Sequence, residues 1–522
     1  MISPGAGPAA PSAYPDSLPP VFPTVVHMLA DAAAKAPGQM AVISDDGQMT
    51  YAEFLRCVAG FAHELLALGA AGQRVAILLG NSLDITIAGF AIHAARAQLV
   101  PLNPIYTAHE LEPLLRDAEP LLVLFEASLV DWLPDLTRRL GIRHHRMIGG
   151  PGGPSLSRWR DDPGQILPIP LPDPDMPATL QYTGGTTGRS KGAILLHGRV
   201  ALNVSQREAL LPTRKEQERI LCVAPLFHVY ATAMGLHLAA YCRGTLIIQR
   251  HFKPDSVLSA IRRERPSILV SAPPVFIALM AHPAFPATDL SSLRICYSGA
   301  SALSEEVLRR WQDATHCAIL EGFGQSESGP VVAFNPEWGV RKPLSVGIPT
   351  PGTRIEIVDA IAPHRRLGPG EVGEIRIKGP QLMIGYRNMP EETATALRDG
   401  WLYTGDVGEI DGDGYLFIRD RKKDMINSGG FNVYPREVEE VLYRHPGVLE
   451  AAVIGVPDAF RGEAVGAFVV PRAGMTVTVD ALLTHCRDYL AKYKIPSAIM
   501  LVECLPKTAV GKIDKNRLRQ TQ

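Results

Sequence analysis

One stretch of the chain suits neither helix nor strand. "QYTGGTTGRSKGA", residues 181 to 193, holds four glycines, four serine or threonine residues and a lysine. Glycines let backbone N–H groups approach a ligand without interference from Cβ. The hydroxyls of Thr183, Thr186 and Thr187 add donors, and Lys191 adds a positive charge. Together these are the parts of a phosphate cradle. A flexible linker uses the same residues, but apolar "ATLQY" precedes the loop and apolar "GAILLH" follows it, which places it inside the fold. It is not a Walker A loop, because the Gly-Lys-Ser/Thr ending is absent. Four other residues could do chemistry yet read blandly one by one. Asp406 in "TGDVG" could cap a turn, and Glu327 could be a solvated carboxylate. His228 in "PLFHVY" could be a satisfied core histidine, and Lys512 in "PKTAVGK" a surface lysine.

The elements that must position these residues follow from the apolar pattern. "RVAILLG" (74 to 80) reads as a buried strand, and the next segment has Leu83, Ile87, Phe90 and Ala94 at the spacing of an amphipathic helix. "TLIIQ", "SILVSAP" and "LRICYSG" are further strands separated by helical patterns, and Ser304 with Glu305 and Glu306 marks a helix start. Alternation of this kind predicts an α/β fold, with a large N-terminal domain of parallel sheets layered by helices. From about residue 345 short alternating strands ("TRIEIVD", "GEIRIKG", "GYLFIRD") predict a small β-rich unit. The last hundred or so residues read as a small, mobile α+β domain opening at "YPREVEEVL", with Pro435 in its first helical turn. The expected divisions are a loose arm over 1–20, a large domain over 21–422 and a small domain over 423–522.

With these motifs in order, the chain resembles the adenylate-forming superfamily, which includes acyl-CoA synthetases, luciferases and peptide-synthetase adenylation domains. "YTGGTTGRSKG" is similar to that family's phosphate loop, with Gly184 where serine is common and Ser190 where proline is common. The resemblance implies that Thr183, Gly184, Gly185, Thr186, Thr187, Gly188 and Lys191 hold ATP phosphates. "EGFGQSES" (321 to 328) resembles the family segment in which an aromatic stacks near adenine and a glutamate holds Mg²⁺. That implies nucleotide contacts from Glu321, Gly322, Phe323, Gly324 and Ser326, and Mg²⁺ held by Glu327 with Thr186. "YSGASAL" resembles the lining of the adenine and acyl pocket, here Ser298, Gly299 and Ala300. His228, Val229, Ser298, Gly299 and Gly322 are the implied acyl contacts. By the same resemblance Asp406 and Arg421 bind ribose, Lys423 is the hinge, and Ser428, Gly429 and Gly430 face coenzyme A. Lys512 is the implied catalytic lysine, with Glu327 and Thr186 beside it in the activation step.

The implied reaction joins a carboxylic acid to the α-phosphate of ATP, releases pyrophosphate and passes the acyl group to CoA. Its difficulty is electrostatic, since one anion must attack another. By the same resemblance, peptide-synthetase domains bear an Asp for the substrate's α-amino group in the segment equivalent to "APLFHVYATAMG". None lies there, which argues against an amino acid, and no carrier domain is expected after Ile513. The uncharged segment 221–242 suggests an apolar acyl pocket. A medium- or long-chain fatty acid is favoured, an aromatic acid comes next, and a dicarboxylate or delivery to a carrier protein stays open. Segment 221–242 is also long enough to span a bilayer, but Pro225, His228 and His237 interrupt it, so a buried strand, loop and helix is expected.

Composition narrows the classes. The chain has 522 residues, a formal charge of −1, 46% apolar and 20% charged residues. That balance gives no support to nucleic-acid binding. Seven scattered cysteines without a C-x-x-C pair argue against disulfides and zinc, and with no signal peptide they point to the cytoplasm. A homodimer is left open as a partner, as is a lysine acetyltransferase, which would remove the charge of Lys512.

Overall fold

The computed structural model describes residues 18–150, 153–183, 190–359, 362, 364–428, 431–458, 461–508 and 512–520. Two large sheets dominate the N-terminal part. In one, Arg219–Cys222 lies between Ile268–Ser271 and Thr245–Ile248, and Ile295–Ser298 and Ala318–Phe323 extend the parallel run. In the other, Arg74–Leu78 lies parallel to both Gln98–Pro101 and Leu122–Phe125. These central strands are continuous apolar runs because helices cover both faces, as parallel sheets require. The fold class is the expected one.

The helix Leu83–Ala94 departs from its expected amphipathic character, for all twelve of its residues are buried. Leu83, Ile87 and Phe90 do share one face, but Ile85, Ala88 and Ile92 cover the others. The largest apolar cluster joins this helix to residues of both sheets, such as Ile77 and Ile220. A helix apolar all round is an interior helix. Segment 221–242 folds as expected into a strand end, a loop and buried helix, but with a π-helical turn over Thr232–His237. Among the described residues no helix is long and apolar enough to cross a membrane.

The β-rich unit is an antiparallel sheet of Arg354–Val358, Gly373–Lys378, Trp401–Ile410, Leu397–Arg398 and Leu416–Arg421. Its register sets Asp406 opposite Arg421. Beyond it, the helix Pro435–Arg444 packs on the hairpin Val448–Asp458 and Gly462–Pro471. The core there draws only on residues from Ile426 onward, which supports the domain boundary we propose near residue 423. Ser304 caps the helix Glu305–Thr315 by accepting from Val307 N at 3.3 Å, as its position before two glutamates predicts. Most of the expected N-terminal arm lies outside the described residues. At its end, the carbonyls of Pro19 and Pro20 accept from Ser205 and Tyr241. All seven cysteines are free, and only Cys504 is exposed.

Candidate active site

The glycine loop joins two antiparallel strands, Pro177–Thr183 and Lys191–Leu196, with Thr183 paired to Lys191 at its base. Gly184, Gly185, Thr186, Thr187 and Gly188 lie outside the described residues, so the structure places the two posts of the loop. Thr183 Oγ1 donates to Glu327 Oε1 at 3.0 Å. The Tyr386 hydroxyl donates to the same oxygen at 3.0 Å. Tyr386 reaches that point because Gly385–Tyr386 pairs with Lys191–Leu196, and Lys191 Nζ lies 5.3 Å from the centre of its ring. The lysine, the tyrosine and the glutamate thus gather at the mouth of the loop.

Glu327 sits in a turn whose shape depends on missing side chains. A Cβ on Gly322 would lie 2.1 Å from Phe334 Cδ2, and one on Gly324 would lie 1.4 Å from the Pro330 carbonyl oxygen. Ser328 Oγ accepts from Gln325 N at 2.8 Å, and the Glu327 carbonyl accepts from Met383 N at 2.9 Å. Gln325 Nε2 then donates to Asp406 Oδ2 at 2.6 Å and to the Thr404 carbonyl at 3.0 Å. One turn therefore connects the carboxylate at the phosphate loop with the one on the β-rich sheet. Phe323 and Ser326 are half-buried on the same turn, and Phe323 packs on the apolar cluster of the β-rich unit. Gln325 and Tyr386 escaped the sequence reading. Gln325 stands inside the quoted "EGFGQSES", whereas Tyr386 is 59 residues from its partner and has no local signal.

Asp406 is 5% exposed, and Arg421 Nε lies 3.4 Å from its Oδ1. Burial pushes this carboxyl up to about 6, against the pull of Arg421, Gln325 and Lys512. Lys512 is brought to the same place. Burial lowers its ammonium to about 8, Arg421 lowers it further, and Asp406 opposes both. His228 is held down to about 3 by burial and then by the charge of Lys512, which keeps the imidazole neutral. The Lys512 segment is closed at its base, with Thr508 N donating to the Lys512 carbonyl at 2.7 Å.

Contacts across the proposed boundary hold this arrangement. Arg436 Nη2 lies 4.0 Å from Glu321 Oε1, and Glu440 Oε2 accepts from Glu305 N at 3.3 Å. Glu321 also accepts from Leu303 N at 3.1 Å, which ties it to the "YSGASAL" loop. In that loop the Ser298 hydroxyl is buried without a partner, and Ala300 has a φ of +69°. A Cβ on Gly299 would lie 2.7 Å from Tyr230 Cε2. His228 Nδ1 accepts from Tyr230 N at 3.3 Å, which starts the helix carrying Val229. Ser428 is buried with its hydroxyl unpartnered, and Gly429 and Gly430 lie outside the described residues. Lys423 is exposed in the turn after Leu416–Arg421, a place where a torsion change disturbs no ladder.

The two shifted groups set an expected pH profile. Below about 6 Asp406 gains a proton and loses its charge; above about 8 Lys512 loses the ammonium. The kcat/KM for ATP in the activation step should therefore rise through the first value and fall through the second, since it reports the free enzyme. Stopped assays of pyrophosphate release from pH 5 to 9.5 check this, and a flat alkaline side would contradict the assignment of Lys512.

Lys191, Tyr386 and Glu327 thus stand at the base of the glycine loop, and Gln325 links their turn to Asp406. The chain matches the AMP-binding enzyme family over residues 29–387 and the AMP-binding enzyme C-terminal domain over residues 437–512. It is 37% identical to a long-chain-fatty-acid--CoA ligase of Bacillus subtilis (strain 168), over 98% of this chain and 97% of that one. It is 38% identical to a feruloyl-CoA synthase of Amycolatopsis sp, over 94% of this chain and 97% of that one. The solved anthranilate CoA ligase AuaEII, in complex with anthranoyl-AMP, superposes with a TM-score of 0.90 at 28% identity, over 96% of this chain and 98% of that one. The chain belongs to the AMP-binding enzyme family and is an acyl-CoA synthetase of the AMP-forming type.

Proposed function

We propose that the enzyme activates an apolar carboxylic acid, a medium- or long-chain fatty acid or an aryl acid, as acyl-AMP and transfers the acyl group to CoA. The observation that carries this reading is the placing of Lys512 within electrostatic reach of Asp406, Arg421 and His228, whose neighbour Val229 lines an apolar cavity. In the first half-reaction Lys512 approaches both the acid's carboxylate and the α-phosphate as a compact charge. It lowers the repulsion between them, and the fixed partners of Asp406 and Glu327 keep the site from reorganising. Asp406 and Arg421 hold the ribose, and the posts Thr183 and Lys191 flank the β- and γ-phosphates.

Among the described residues no group of three or more His, Cys, Asp or Glu side chains could hold a metal alone. This fits a Mg²⁺ held by one carboxylate and by the nucleotide's own phosphates, as Mg²⁺ sites usually are. Glu327, already oriented by Thr183 and Tyr386, would hold it, and the ion would offset phosphate charge there. In the second half-reaction rotation at Lys423 withdraws Lys512 and presents Ser428, Gly429 and Gly430 to CoA.

The cavity is lined by Ile77, Leu99, Leu226, Val229 and Pro330 among others, a largely apolar wall. The apolar wall supports a fatty or aryl acid over one with a second charge. A panel of alkanoic, aryl and dicarboxylic acids tested for AMP release with ATP and CoA decides it. Highest kcat/KM among fatty or aryl acids is expected, and turnover confined to dicarboxylates would overturn the reading. Turnover only with a carrier protein in place of CoA would overturn the second step. The scattered thiols support a cytoplasmic setting, and a homodimer and acetylation of Lys512 are carried forward as proposals.

A further inference from the structure

Three histidines meet inside the large domain, far apart in sequence and unused by the chemistry above. His93 ends the helix Leu83–Ala94, His197 opens the helix His197–Leu210, and His237 closes the π-helical turn. They are 2%, 1% and 6% exposed. The His93 and His197 rings stand edge to face with centres 5.0 Å apart, and the His237 ring stands in the same way against Phe90 at 5.8 Å. Both ring nitrogens of His93, both of His197 and Nδ1 of His237 are buried without a hydrogen bond of good geometry. The Ala178 backbone is close enough to His93 to favour its charged form, against the larger effect of burial. Buried polar groups are nearly always paired, so these open ones call for a partner, a ligand or a buried water.

His93 and His237 line the apolar cavity, whose wall also includes Val229 and Pro330. Val229 follows His228, which feels the charge of Lys512, so that stretch of wall is near the reacting carboxylate. His237 comes eight residues later on the same helical run, about 12 Å along its axis at the usual α-helical rise. The imidazoles therefore line the part of the cavity wall away from Val229.

We propose that His93 and His237 form a polar terminus of the acyl cavity that recognises a hydroxyl at the distal end of the substrate, so that the favoured acid is apolar along its body and hydroxylated at its tip. The proposal rests on the acyl-CoA ligase reading above. A neutral imidazole offers one donor and one acceptor, and a hydroxyl both donates and accepts, so the two match. Burial holds His93 down to about 4 and His237 to about 3, so both are neutral at physiological pH. Neutral rings in an apolar wall cannot compensate a second carboxylate, which excludes a dicarboxylic acid. His197, behind His93, fixes the orientation of that ring. A site built to bond a hydroxyl discriminates strongly against the analogue that lacks it, because its polar groups are then left open.

The test uses matched acids on the full chain: 3-phenylpropenoic acid against its 4-hydroxy derivative, and octanoic acid against 8-hydroxyoctanoic acid. Both binding, by calorimetry, and kcat/KM for AMP release are measured. At least a tenfold preference for the hydroxylated member of one pair is expected in the unaltered protein. His237→Leu and His93→Leu should bring that ratio toward one, and His237→Gln should retain part of it. Equal or weaker binding of both hydroxylated acids overturns the proposal, as does an unchanged ratio in the leucine variants, which would leave buried water as the imidazoles' partner. Preferential binding without turnover supports the polar terminus while sinking the ligase reading, so the two failures are distinct.

Discussion

Lys512→Ala is expected to slow acyl-AMP formation by on the order of 100- to 1,000-fold, the usual loss when one preorganised charge at the reacting centre is removed. Thioester formation from supplied acyl-AMP should stay within a few-fold of the unaltered protein. The asymmetry follows from placement. Lys512 lies within electrostatic reach of Asp406, Arg421 and His228 in the arrangement seen here, and its segment reaches the site only because the C-terminal part is closed on the N-terminal one. Among the described residues the contacts that close it include polar ones, Arg436 with Glu321, Asp420 and the Ile418 carbonyl, and Glu440 with the Glu305 N–H. A joint of that kind can part between half-reactions. Lys512→Arg should not restore the first step, because a planar fork cannot take the place of a compact ammonium between two anions. Pyrophosphate exchange measures the first step, and thiolysis of synthetic acyl-AMP measures the second. Equal losses in both would refute the division of labour.

Gly324→Ala should cost about 100-fold in kcat/KM for ATP. The new Cβ would fall 1.4 Å from the Pro330 carbonyl oxygen and 2.6 Å from its carbon. Both are backbone atoms, so no side-chain rotation relieves the clash and the turn itself must move. That turn carries Gln325, bonded to Asp406, and Glu327, bonded to Thr183 and Tyr386. A displacement near 1 Å at such a point costs roughly two orders of magnitude in rate. Gly412→Ala is the control, since nothing lies within 4 Å of its Cβ position, and it should match the unaltered protein. Circular dichroism and a thermal melt separate a moved turn from a lost fold. A Gly324→Ala protein with full activity would refute the assigned tightness of the turn.

Features set by local chemistry were legible in the chain. The parallel strands announced themselves as apolar runs, Ser304 as a cap, and Pro435 as a first-turn residue. The ordered motifs located Thr183, Lys191, Glu327, Asp406, Arg421 and Lys512, which the fold brings into one neighbourhood. What stayed hidden depends on distant packing. Nothing in "TAMGLH" marks a π-helical turn. The helix Leu83–Ala94 reads as one-sided because its spacing records a face, whereas burial on the other faces comes from the helix Tyr51–Ala67 and from strands of both sheets. Tyr386 becomes a partner of Glu327 only through the pairing of Gly385–Tyr386 with Lys191–Leu196. The three histidines are isolated residues until the two sheets pack together.

Following oxygen gives the most direct test of the account, that opposing anions are brought together so that a carboxylate attacks the α-phosphorus. The acid is supplied with ¹⁸O in its carboxyl group, together with ATP and CoA, and the phosphorus-containing products are analysed by mass spectrometry. One labelled oxygen should appear in AMP and none in pyrophosphate. Label in inorganic phosphate, accompanied by ADP, would mean attack at the γ-phosphorus and would contradict the roles given to Lys512, Asp406 and the glycine loop together.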